Sequence, residues 1–186
     1  GCTVSNCSAS TNVGNGIFGG KGCTVSNCSA YQNTGNGIFG ASGFTVSKCS
    51  ASENTGSGIS VNSGSTVADC TARSNNLDGI VCNSQCVIRG NTCTFNGNGG
   101  DGAGIHATSS DNRIEGNNCT IADRGIDVDL AGNIIIKNTC VGNTTNWDIV
   151  AGNVCLVVQG VTGGAILGNT GGVAPGSTDP NANFTY

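Results

Sequence analysis

The sequence predicts an all-β solenoid: a parallel β-helix of about seven to eight coils of about 21 residues, with three short strands per coil. Three observations carry this. The segment GCTVSNCSASTNVGNGIFG (1–19) recurs at a constant offset of 21, as GCTVSNCSAYQNTGNGIFG (22–40), GFTVSKCSASENTGSGISV (43–61) and GSTVADCTARSNNLDGIVC (64–82). A cysteine column (Cys7, Cys28, Cys49, Cys70, Cys93, Cys119, Cys140) and an isoleucine column (Ile17, Ile38, Ile59, Ile80, Ile105, Ile126, Ile149) both count seven coils. Within a coil the apolar residues alternate, as in Ile59/Val61 and Ile126/Val128, and Gly or Asn interrupts every few positions, so no stretch has helical periodicity.

Each coil starts with a T-V-x strand and turns at a single residue, Asn6, Asn27, Lys48 or Asp69. Val4 and Cys7 must both face inward although two residues separate them, so the chain bends between them, and Asn tolerates the left-handed conformation such a bend needs. A C-x-A strand follows, then a longer Asn/Gly turn, then a G-I-x-V strand. A turn such as NSGS (62–65) leads back to the next T-V-x. Coils stacked at roughly 4.8 Å place side chains directly over one another.

The inward columns are expected to be structural. Stacked cysteines serve as small buried hydrophobes with free thiols, because parallel in-register Cβ vectors sit poorly for disulfides. A second column runs Cys2, Cys23, Phe44, Ser65, Cys86, and Cys82 and Cys86 bracket a short turn that a disulfide could span. An asparagine column, Asn12, Asn33, Asn54, Asn75 and then Asn98, would hydrogen-bond up and down the solenoid.

Composition narrows the partners. The 186 residues contain 11 acidic and 7 basic side chains and no basic stretch, so nucleic acid is not an expected partner. No run of 18 apolar residues exists to form a membrane-spanning helix.

The G-I-x-V, x-V-x-N-C and I-x-G-N-x-C steps, the last at Ile88–Cys93 and Ile114–Cys119, resemble those of the right-handed parallel β-helix proteins of the pectate-lyase-like superfamily. The resemblance covers roughly residues 1–160. It implies a right-handed coil, a location outside the cell or on its surface, and a substrate groove, where one exists, beside the G-I-x-V strands.

On that face strand alternation turns His106, Asp127 and Asp129 outward, with Arg124 at the start of the same strand and Asp101 and Asp123 in the preceding turns. Paired carboxylates at this spacing suit general acid–base work on a glycosidic bond, with His106 tuning one of them. The lyase resemblance implies instead Ca²⁺ held by Asp127 and Asp129, with Arg124 abstracting a proton. Phe18 and Phe39, one above the other, and Trp147 in the coil beyond the site are expected to meet carbohydrate.

The function expected from these residues is a non-catalytic extracellular or surface module that binds carbohydrate or protein, or acts as a rigid spacer. The alternatives are a polysaccharide lyase or glycoside hydrolase using Asp127, Asp129, His106 and Arg124, and an ice-binding face on the Thr3/Ser5, Thr24/Ser26, Thr45/Ser47 rows, which fail from Thr66/Ala68 onward. Residues 161–186 are expected to form a capping tail in which Phe184 and Tyr186 cover apolar surface. The first coil, lacking a polar cap, is expected to favour end-to-end self-association.

Overall fold

The structure is a computed structural model and describes residues 1–97, 100–159, 165–168 and 179–185; Asn98 and Tyr186 lie outside them. The described residues form twenty-five short strands and no helix, hence no helix long and apolar enough to cross a membrane. The strands make three parallel sheets of eight, nine and eight. The T-V-x strands form the first sheet, the C-x-A strands the second and the G-I-x-V strands the third. Register is the 21-residue repeat itself: Val4 pairs Val25, Ala9 pairs Ala30 and Ile17 pairs Ile38. The solenoid has about seven turns.

Two one-residue bends close each coil. The first falls at Asn6, Asn27, Lys48 and Asp69, with φ between 52° and 56°. A second follows the middle strand at Thr11, Gln32, Glu53, Ser74, Phe95 and Ile121, with φ of 53–56°. Lysine, glutamate and isoleucine pay of order 1–2 kcal/mol for a left-handed backbone, so stacking on neighbouring coils must hold them there.

The core is a set of ladders (side chains stacked coil over coil), and their membership corrects the cysteine column. Cys7, Cys28, Cys49 and Cys70 sit at the first corner, and Asn91, Asn117, Asn138 and Asn183 continue that place: Cys70 N–H donates to Asn91 Oδ1, Asn91 to Asn117, Asn117 to Asn138 and Asn138 to Asn183, each at 2.9 Å. Cys93, Cys119 and Cys140 belong to the middle strand instead, stacked on Ala72. The 23-residue step from Cys70 to Cys93 is the sequence mark of this change of column. The asparagine column runs through Asn96, whose Oδ1 accepts from Asn75 Nδ2 at 2.9 Å, in the place expected of Asn98. A third ladder takes Cys2, Cys23, Phe44, Ser65, Cys86 on into Asn112, Asn133 and Asn153.

Buried volume is matched within each coil. Phe44 fills the space over Gly19 and Gly40, where an added Cβ would overlap its ring, whereas the coils with Ser65 and Asn133 carry Val61 and Val128 at the glycine position. All twelve cysteines, Cys82 and Cys86 included, are free thiols. Strand Asn183–Thr185 inserts into the second sheet between Thr139–Val141 and Val157–Gln159. Phe184 faces outward there and stays 45% exposed, so it does not cover the core.

Candidate functional site

Three consecutive strands of the third sheet, Ala103–Ala107, Arg124–Val128 and Thr145–Ile149, run five residues where most others run three. Their register stacks His106 on Asp127 and Asp127 on Asp148, all outward, while Ile105, Ile126 and Trp147 stack inward. Alternation therefore delivers a histidine and two aspartates as one vertical row.

Two further aspartates fix the row from the side. Asp78, in the turn before Ile80–Cys82, accepts the Ala103 N–H on Oδ1 at 2.7 Å and places Oδ2 3.6 Å from His106 Nδ1. On the other side of the ring, His106 Nε2 lies 3.1 Å from Asp129 Oδ2 and 3.8 Å from Asp127 Oδ2. Arg124 lies 3.0 Å through Nε from Asp148 and 3.5 Å through Nη1 from Asp127, and pairs with Asp101. Asp123 Oδ2 accepts the Gly100 and Gly102 N–H groups at 3.0 and 3.1 Å, which pins the turn carrying Asp101. Five carboxylates thus meet two cations among the described residues. Beside them, a pit of about 430 Å³ opens between Leu77, Asp78, Asp101 and His106.

Charge follows from this packing. Hydrogen bonding to Asp78, with Asp127 and Asp129 nearby, raises His106 to about 9, against the opposing effect of burial. Burial raises Asp127 to about 6, although His106 and Arg124 oppose it. Arg124 holds Asp101 below the usual carboxylate range, and Asp101 in turn raises Arg124. Near neutral pH the site presents an imidazolium, a fixed guanidinium and, in Asp127, a carboxyl close to its titration point.

This arrangement bears on three expectations. Arg124 is engaged by three carboxylates that favour its cationic form, which works against the proton-abstracting role. Trp147 is fully buried beside Ile126 and presents nothing to a sugar; its indole Nε1 has no hydrogen-bond partner among the described residues. Calcium does not suit the donors. His106 Nε2 and the Asp127 and Asp129 oxygens lie within 4.8 Å of one another, but Ca²⁺ takes six to eight oxygens, and here it would meet two engaged carboxylates and an imidazolium. Asp78 and Asp148 were not singled out from the sequence, and they complete the site.

Further along the outward column the order is Phe18, Phe39, Ser60, Val81, His106, Asp127, Asp148. The Phe18 and Phe39 rings stack at 5.7 Å and 10°. Residues 1–121 match the family model for the right-handed β-helix region. The chain belongs to that family. No curated protein matches the sequence. Among solved structures, this β-helix is similar to the A-modules of two Azotobacter vinelandii mannuronan C-5 epimerases. For AlgE6 the TM-score is 0.70 at 16% identity, over 98% of this chain and 56% of the other. For AlgE4 it is 0.66 at 16% identity, over 79% and 48%. The chain spans about half the length of these structures, and at this identity the likeness establishes the β-helix fold alone.

Proposed function

We propose that this β-helix is a carbohydrate-binding module, presented outside the cell or on its surface, and that the third sheet is its binding face. The observation that carries the proposal is the unbroken outward column from the exposed Phe18–Phe39 stack to the His106–Asp127–Asp148 row. Stacked aromatic faces suit sugar rings, and the polar row beyond them suits hydroxyl recognition. The mannuronan C-5 epimerase modules, named for a polysaccharide, lend support to the class of ligand. Because five carboxylates surround two cations, neutral or amine-bearing glycans fit this face better than polyuronates.

Titration of the chain with neutral, amine-bearing and uronate oligosaccharides, followed by calorimetry and by NMR of the His106 ring, tests this. Phe39→Ala is expected to weaken binding by about 2- to 10-fold, the equivalent of one aromatic contact. No binding by any glycan class, or binding unaffected by Phe39→Ala and Asp148→Asn alike, would remove the proposal.

A second reading, glycoside hydrolysis, is favoured by one observation: Asp127 is a largely buried carboxyl raised to about 6, with the carboxyl groups of Asp129 on its own strand and Asp148 in the next coil beside it, and paired carboxyl groups of this kind can serve as general acid and base. New reducing ends released by wild type and abolished in Asp127→Asn would establish it; unchanged turnover would exclude it.

A further inference from the structure

The first four corner positions hold Cys7, Cys28, Cys49 and Cys70, each one coil above the last. Their visible role is to accept a backbone N–H from the preceding coil: Cys7 N–H reaches Cys28 Sγ, Cys28 N–H reaches Cys49 Sγ and Cys49 N–H reaches Cys70 Sγ, all at 3.4 Å. That role does not require sulfur. Asn91, Asn117 and Asn138 fill the same corner in later coils and accept at 2.9 Å, a shorter and stronger bond. The cysteine coils differ in a second respect. A trough of about 650 Å³ runs along their corner, lined by Cys7, Cys28 and Cys49 together with Lys48, Asp69, Thr71 and the flanking Asn and Ser residues; Cys7 is exposed in it, and Cys28 and Cys49 reach it with 3% of their surface. The other stacked thiols, Cys93, Cys119 and Cys140, are wholly enclosed in the core.

We propose that Cys7, Cys28 and Cys49, backed by Cys70, form a site for a soft monovalent cation, copper(I) or silver(I), held in two-coordinate fashion between sulfurs of adjacent coils. Thiolate is the ligand class that soft d¹⁰ ions select. A linear ion with metal–sulfur bonds of about 2.3 Å spans about 4.6 Å, close to the roughly 4.8 Å rise from one coil to the next. Solenoid pitch thus sets the sulfur spacing without any dedicated loop. Binding breaks two S–H bonds, forms two metal–sulfur bonds and releases two protons to solvent, with no change of oxidation state. The N–H groups of Cys7 and Cys28, aimed at Cys28 Sγ and Cys49 Sγ, favour thiolate, and Lys48 and Asp69 both stand on the trough wall.

The test titrates the reduced full chain with silver(I). Expected are release of two protons per ion and an X-ray absorption spectrum with two sulfur neighbours and no nitrogen. Cys28→Ser/Cys49→Ser is expected to lose affinity by at least the roughly 10–100-fold that loss of an outer-sphere partner alone costs, while Cys119→Ser stays within about twofold of wild type. Ser65, which accepts the Phe44 N–H at 3.1 Å in the sister ladder, shows that serine serves at such a corner. Uptake unchanged in the double variant, uptake lost equally in Cys119→Ser, or nitrogen from His106 at the metal would overturn the proposal. Should the double variant fail to fold, the wild-type absorption spectrum and proton count still decide.

Discussion

His106 Nδ1 lies 3.6 Å from Asp78 Oδ2 across the coil boundary, and the second oxygen of that carboxylate is fixed by the Ala103 N–H at 2.7 Å. The imidazolium is therefore held by a group that is itself immobile. With a folded value of about 9 against about 6.5 unfolded, His106 contributes stability that is complete below pH 6.5 and disappears as pH rises through 9. The melting temperature should fall across that window. Asp78→Asn should flatten the fall and lower the NMR titration midpoint of the one histidine by a unit or more.

Asp127 has the same sign at lower pH, although here it is the neutral form that the fold favours. Its folded value of about 6, raised by burial, exceeds the unfolded carboxylate value, so the native state binds the additional proton and loses stability as pH rises from about 4 to 6. Asp127→Asn is expected to be more stable than wild type above pH 6, with the difference closing toward pH 4, as read by thermal denaturation at fixed ionic strength.

Asn54 should be among the costliest positions to truncate. Its Oδ1 accepts from both the backbone and the side chain of Asn33, and its Nδ2 donates to Ala30 O and Asn75 Oδ1, all out of contact with water. Asn54→Ala is expected to cost about 3 kcal/mol in urea unfolding, whereas Asn12→Ala, at an exposed rung, should cost less than about 1 kcal/mol.

Gly40 and Phe44 are coupled by volume. Gly40→Ala drives a methyl into the Phe44 ring and should cost about 2 kcal/mol. Phe44→Cys, which restores the residue found at Cys23, should recover part of that loss. The double variant is expected to be about 1 kcal/mol more stable than the two single costs would sum to.

Much of this architecture was legible because the repeat is nearly perfect over residues 1–82: strand order, register and the inward Val, Ala and Ile columns follow from an offset of 21. Difficulty arose wherever the step changed. At Cys70 to Cys93 a run of like residues hid a jump from corner to strand, and an asparagine took over the corner. At Ile126 to Ile149 the same 23-residue step hid Trp147 in the inward row and Asp148 in the outward one. Asp78 escaped notice because it sits in a turn, and turns carry no alternation from which facing can be inferred. The second set of left-handed bends, at residues as unlike as Thr11, Glu53 and Ile121, left no compositional trace at all.

The interposed strand Asn183–Thr185 bears on how the molecule is assembled. Val157–Gln159 rests on it rather than on Thr139–Val141, and Asn183 crowns the corner ladder by bonding Asn138. The last turn therefore cannot be laid down in chain order: an earlier segment must wait for a later one to dock beneath it. Pulled from that end, the solenoid should resist peeling one coil at a time and give way instead as a block.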